Sequence, residues 1–191
     1  MLSKEIKRTI IGGVVSAIVL VTIGSWWHYR CDSILHRNNR LMFKSFYVEN
    51  EEGLAALREL ESPKVAASLS DGQRDLLHLR KASILVKDYD LPGALSELKS
   101  VLENSKVAEL QTLALVRSIR LLIELRRIPE GLELLKKYSD WLPTLVAFEL
   151  KGDLCYASGD LKEARSYYLN AWQCNPVEET YRRLLLKIMD C

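Results

Sequence analysis

The chain is poor in the residues from which tight turns and catalytic sites are built. It has 9 glycines and 5 prolines in 191 residues, which argues against a turn-rich β-sandwich or barrel. Strict apolar–polar alternation over a strand length is absent too. The 3 histidines, His28, His36 and His78, lie far apart and lack the spacing of metal ligands. They read as satisfied or solvated imidazoles. The 4 cysteines, Cys31, Cys155, Cys174 and Cys191, include no C-x-x-C pair. Cys155 and Cys174 fall at helix positions that are not opposed, and a disulfide needs Cα atoms within about 7 Å, so free, buried thiols are expected. A G-x-S-x-G elbow, a glycine-rich phosphate loop and a zinc-type Cys/His pairing are all missing. The sequence therefore predicts no catalytic residue, no metal and no cofactor, and a non-enzymatic chain. An excess of one charge sign is missing as well. Its 27 basic and 25 acidic residues leave +2, less than a nucleic-acid binder usually carries.

What is present is an ordinary globular balance, 48% hydrophobic and 27% charged. The charge, however, is unevenly spread. Residues 1–30 hold Lys4, Lys7, Arg8 and Arg30 against Glu5, a balance of +3, and the other 161 residues balance at −1. Those cations bracket Thr9–Trp27, 19 residues without a charge. As a helix the run spans about 28 Å, close to the roughly 30 Å of a bilayer core. A cleaved signal peptide would have a shorter apolar core and a small-x-small cleavage site, of which Thr22 and Gly24 are a poor version. A buried globular helix would carry a polar stripe, but only Thr9, Ser16, Thr22 and Ser25 are polar. The run ends in Trp26, Trp27 and Tyr29, residues suited to a membrane–water interface. It reads as an uncleaved transmembrane anchor over 9–29, after a short basic tail at 1–8. Gly12/Ser16 and Gly13/Ala17 have the spacing of a helix–helix contact in membranes, but the motif is short and weak, and small residues packed against lipid are the preferred reading. Charge does not orient the span, because Lys4, Lys7 and Arg8 precede it and Arg30, Arg37, Arg40 and Lys44 follow.

Beyond residue 30 the apolar spacing is helical. Leu76, Leu77, Leu79, Ile84 and Leu85, then Leu91, Leu95, Leu98, Val101 and Leu102, recur at intervals of three and four. Breaks at Asp90-Leu91-Pro92-Gly93, Ile128-Pro129-Glu130-Gly131 and Ser158-Gly159-Asp160 can each end one helix and start the next, with Asp160 a candidate N-cap. Residues 30–62 predict a helical connector in which Phe43, Phe46 and Tyr47 either pack on the first repeat or form an exposed patch. Residues 177–191 predict an amphipathic capping helix, with Leu184, Leu185, Ile188 and Met189 on one face and Arg182, Arg183 and Lys187 mostly on the other.

Between them lies an internal repeat. Phe148-x2-Lys151-Gly152-x2-Cys155, Ala164-x3-Tyr168 and Pro176 align with Leu115-x2-Ser118-Ile119-x2-Leu122, Gly131-x3-Leu135 and Pro143, and with His78-x2-Lys81-Ala82-x2-Leu85 and Ala94-x3-Leu98. The small residues Ala94, Gly131 and Ala164 are 37 and 33 apart. This resembles the tetratricopeptide pattern of roughly 34 residues. Gly152 and Ala164 would sit where antiparallel helices cross, Tyr168 and Phe148 would fill gaps between hairpins, and Pro176 would end the repeat. The expected fold is all-α: one N-terminal transmembrane helix followed by a tetratricopeptide-like hairpin solenoid over 63–191. Such stacks present a concave face made by the first helix of each repeat. Here those helices cover Leu113–Glu124 and Val146–Ala157, and their phase points Val116, Arg120, Glu124, Glu149, Asp153 and Tyr156 toward a partner groove.

The layout as a whole is similar to the YfgM-type ancillary subunits of the bacterial SecYEG translocon. It shares with them a short basic tail, a single span ending in Trp26-Trp27-x-Tyr29-Arg30, a helical region, and a last repeat reading KGDLCYASGDLKEARSYYLNAW over Lys151–Trp172. The resemblance implies an inner-membrane protein with a cytoplasmic N-terminus and periplasmic repeats. It implies partnership with SecYEG and with a membrane-anchored chaperone of the PpiD kind, acting on translocating or unfolded client proteins. A tethered scaffold for pilus, secretion or cell-division assembly shares the same fold and is the competing expectation.

Overall fold

The computed structural model describes residues 4–48, 51–174 and 177–191, with backbone alone for 4–18 and 141. Among the described residues all regular structure is helical. The chain divides into two compact units, Met1–Ser70 and Asp71–Cys191.

The first unit is built on α1, Lys4–Tyr47, a single helix of 44 residues and about 66 Å. Neither glycine nor proline occurs from Ser25 to Tyr47, so nothing stops the helix where the sequence reading placed the junction between anchor and connector. α2 (Glu51–Glu61) and the short α3 (Pro63–Ala66) follow. Met42, Ala56, Leu60, Val65 and Leu69 are the buried apolar contacts of this unit. The buried Asn38 donates from Nδ2 to the Ser68 carbonyl at 3.2 Å and to the Ser68 hydroxyl at 3.1 Å. Phe43 and Tyr47 stack at 4.6 Å on the exposed surface. Among the described residues no helix is long and apolar enough to cross a membrane. The anchor reading rests in large part on Thr9–Ile18, whose side chains lie outside the described residues, so the Gly12/Ser16 and Gly13/Ala17 spacing falls there too. So does Pro176.

The second unit is three helical hairpins and a closing helix. α4 (Asp71–Lys87) pairs with α5 (Leu91–Asn104), α6 (Ala108–Glu124) with α7 (Ile128–Tyr138), and α8 (Thr144–Ser158) with α9 (Leu161–Gln173); α10 (Glu178–Asp190) follows. The three hairpin turns share one backbone solution. Tyr89, Arg126 and Gly159 each take the left-handed conformation, with φ of 61°, 57° and 89°. In each turn the next residue's N–H reaches the carbonyl of Leu85, Leu122 or Cys155, which satisfies carbonyls that a helix end leaves open. These three positions repeat the 37- and 33-residue spacing of Ala94, Gly131 and Ala164. Asp90 and Asp160 then cap the second helices by accepting from the N–H groups of Gly93 and Glu163. Arg127, at the same place in the middle hairpin, instead pairs with Glu130.

Small residues set how closely the hairpins approach. Ala94 and Ala164 are fully buried. A Cβ on Gly152 would lie 2.4 Å from the Tyr168 ring, and one on Gly131 2.7 Å from a Leu154 methyl. Leu98, Leu102, Leu115, Ile119, Leu122, Leu150 and Leu154 fill the core between hairpins. Ile119, standing where the repeat pattern favours a small residue, is entirely buried within it. The polar His78 and Lys81 of the first repeat face the second helix of their own hairpin and clamp Glu97 at 2.5 and 3.0 Å. Burial pushes the Glu97 carboxyl up, but its bonds to His78 and Lys81 outweigh that and hold it below its ordinary value.

α10 closes the stack over Ala164, Tyr168 and Ala171 with Leu184 and Ile188. Leu185 and Met189, expected on the same face, are 40% and 72% exposed. The seam is the 184/188 pair one helical turn apart, and Leu185 and Met189 are rotated about 100° away from it. The cysteines differ in part from expectation. All four are free, but Cys31 and Cys174 are exposed while Cys155 and Cys191 are half-buried. Cys174 is the residue that follows α9, beyond the turn that packs on α10.

Gly152→Ala should lower stability by about 1–3 kcal/mol, and Gly131→Ala by less, because a leucine methyl can rotate away while the tyrosine ring is pinned at its hydroxyl. Equal effects in chemical denaturation would contradict the stated contacts. Tyr89→Gly and Arg126→Gly should each stabilise by about 0.5 kcal/mol, since relief of the left-handed backbone outweighs the entropy a glycine adds to the unfolded chain; a lower melting temperature would count against this reading of the turns.

Candidate functional site: a groove along the first helices

The first helices of the hairpins, α4, α6 and α8, line two cavities that adjoin at Arg120. The larger, about 420 Å³, is bounded by α6, α8, α9 and α10. Four residues singled out from sequence meet there: Arg120 and Glu124 from α6, and Asp153 and Tyr156 from α8. Tyr156 is 46% exposed. Val116 is elsewhere, packed against the core. The residue of α6 that opens onto the groove one turn before Arg120 is Arg117. The heptad-like phase chosen from sequence is thus one residue out at that end of the helix.

Glu149 is also outside the open space. It is 6% exposed, because α10 docks over this stretch of α8. Arg183 binds it with two parallel bonds of 2.9 Å, and Lys187 adds a third of 2.9 Å. Lys187 also reaches Asp153 at 2.6 Å, and Asp153 accepts from the Tyr168 hydroxyl at 2.9 Å. The ammonium stands 5.4 Å from the centre of the Tyr168 ring, within cation–π range. Arg183 and Lys187, expected on the solvent face of α10, thus reach inward to two carboxylates 34 and 38 residues away in sequence. Their long stems let the charged heads leave the side of the helix to which their Cα atoms belong. Nothing in the spacing within α8 or α10 alone signals this pairing.

Burial pushes the Glu149 carboxyl up, yet the Arg183 guanidinium and Lys187 ammonium prevail and hold it below the ordinary 4.5. The Tyr168 hydroxyl is pushed upward, first by burial and then by the Asp153 carboxylate, so it stays a donor. Burial also raises the Cys155 and Cys191 thiols, with nearby acidic side chains adding to it. That disfavours the reactive thiolate. Among the described residues no cluster of three or more His, Cys, Asp or Glu is arranged to hold a metal.

The smaller cavity, about 380 Å³, lies between α4, α5 and α6. Its floor is Ala82, Leu98 and Leu121, Val86 stands at its side, and its charged residues are Lys87, Arg117 and Arg120. The signal for it was present: Arg117 and Arg120 are the only charges in Thr112–Leu122. In the first unit, the residues read as a membrane interface, Trp26, Trp27 and Tyr29, are 56%, 64% and 75% exposed, and the Arg30 guanidinium lies 5.3 Å from the Trp26 ring.

Antiparallel hairpins stacked through small crossing residues, with a face open along their first helices, define a helical-repeat protein, an architecture suited to protein–protein interaction. Residues 4–190 match the family model described as a tetratricopeptide repeat-like domain, and the chain belongs to that family. No curated protein and no solved structure matches it.

The Glu149 cluster has a pH signature. Because the folded carboxyl lies below its unfolded value, its contribution is complete above about pH 4.5 and is lost as the pH falls through the folded value. Glu149→Gln should cost about 2 kcal/mol near neutral pH and flatten the stability profile below pH 4.5. Parallel profiles for the two proteins in thermal melts would refute the assignment.

Proposed function

We propose that this chain is a membrane-tethered protein-interaction module that assists translocation or periplasmic folding of newly exported proteins at the SecYEG translocon, beside a PpiD-like membrane-anchored chaperone. The observation that carries the reading is the open groove along α6 and α8, with Tyr156 exposed among charges of both signs, in a chain whose first thirty residues hold a 19-residue uncharged run between cations. The groove supplies a surface for an extended client segment through polar and backbone contacts. The run supplies a tether, with Trp26, Trp27 and Tyr29 at the interface. In this reading the N-terminus is cytoplasmic, the repeats are periplasmic in the bacterial inner membrane, and the role is non-catalytic. The translocon and the chaperone come from the resemblance of layout and of the last repeat.

A second reading, a tethered scaffold for pilus, secretion or cell-division complexes, draws on α10. Its outer face leaves Leu186 and Met189 63% and 72% exposed, a surface on which another module could stack.

A photocrosslinking amino acid at Tyr29 should give adducts with SecY in growing cells, and one at Tyr156 adducts with exported chains. Capture of pilus or division proteins alone would overturn the first reading in favour of the second. The exposed Cys174 should react with a membrane-impermeant maleimide in intact spheroplasts; reaction only after lysis would overturn the periplasmic placement.

A further inference from the structure

The cavity between α4, α5 and α6 carries charge of one sign. Its floor and side are Ala82, Leu98, Leu121 and Val86, and its charged residues, Lys87, Arg117 and Arg120, are all cations. Arg117 and Arg120 form no ion pair or hydrogen bond with any described residue. This separates them from the cations of the adjoining cavity, where Arg183 and Lys187 are already neutralised by Glu149 and Asp153. The two arginines are three apart on α6, so their side chains are neighbours on one helix face. A guanidinium binds carboxylates in bidentate fashion. The apolar floor beneath them is where a ligand's side chain would be removed from water.

Beyond Arg120 the groove changes sign. Glu124 and Asp190 line the larger cavity, and neither has an ion-pair partner among the described residues. An extended chain along the groove therefore meets cations over an apolar floor at the α4 end and acids at the α10 end. Such an arrangement selects composition and direction together.

We propose that the α4–α6 cavity binds an acidic, apolar peptide segment, with an aromatic or branched side chain on the Leu98–Leu121 floor and flanking carboxylates on Arg117 and Arg120. The more basic part of the same segment runs toward Glu124. This rests on the reading of the groove as a client surface and names the class of segment it takes. A peptide suits the site better than a lipid surface, because the cavity shares Arg120 with a second one, whose Glu124 and Asp190 would repel an anionic headgroup layer.

The test uses the full chain in phosphatidylcholine nanodiscs and a labelled nine-residue peptide alternating Glu with Phe and Leu, followed by fluorescence anisotropy at low salt. The acidic peptide should bind at least tenfold more tightly than the same peptide with Lys for Glu. Arg117→Glu with Arg120→Glu should reverse that preference, a gain that loss of folding cannot produce. Replacing Phe and Leu by Ser in the peptide should abolish binding. Equal affinity for the two peptides, or a preference unchanged in the double variant, would overturn the proposal. So would flotation of the protein with phosphatidylglycerol vesicles that depends on the two arginines while the peptide fails to bind. Adducts at Tyr156 report separately on the groove. If they persist while the charge preference is absent, only this inference fails; if both are absent, the client reading fails with it.

Discussion

Tyr168 lies against the backbone of Gly152, closer than any Cβ would permit, and the second unit depends on that approach. Its hydroxyl bonds Asp153, Asp153 holds Lys187, and Lys187 with Arg183 holds Glu149. One close crossing of α8 and α9 is thereby tied to the docking of α10. Leu184 and Ile188 complete the cover over Ala164, Tyr168 and Ala171. A single hairpin cannot bury its apolar face, so the end of a stack must be closed by something that is not another repeat. Here the closing helix is attached by charge as well as by apolar contact. The buried carboxylate is satisfied by three bonds, the condition under which a buried charge is tolerable.

The same closure shapes the groove. α10 covers Glu149 and lends Arg183, Lys187 and Asp190 to the larger cavity. The cations nearest α8 are thus consumed internally, and those remaining for a partner sit at the other end, on α6. The groove is polar in charge along its length because the last helix has used up the positive charge at its own end. The smaller cavity keeps Arg117 and Arg120 over an apolar floor. A mixed-charge groove in a nearly neutral domain selects its partner by local pattern rather than by long-range attraction.

Hairpin order was legible in the sequence wherever a local rule operates. Asp160 caps its helix as its position suggests, because an aspartate side chain reaches the N–H three residues on, and Asp90, read from sequence only as part of a break, caps in the same way. The small residues at 94, 131 and 164 mark the repeat because crossing helices exclude bulk. The left-handed turn at Tyr89 and Arg126 was not legible, since neither residue advertises a positive φ as Gly159 does. Only their registration with the repeat discloses it. The groove was legible in part. Arg120, Glu124, Asp153 and Tyr156 line one cavity, but Val116 belongs to the core and Glu149 to the α10 junction. Helical phase predicts which residues share a face of one helix, not which face another helix will cover.

The helical class, the turns inside the hairpins, the tetratricopeptide-like repeat and the partition of charge between the first thirty residues and the rest were readable before any fold was known. Each is written in near neighbours, in periods of three and four residues or in a repeat of about 34. Other features arose from packing. It made Glu149 a buried anchor rather than a surface acid, turned Arg183 and Lys187 inward, split the face of α10 between core and solvent, and set Arg117 beside an apolar cavity. Those outcomes depend on which helix packs over which, through contacts more than thirty residues apart in the chain. No periodicity within one helix encodes them, because the energy lies in the pairing.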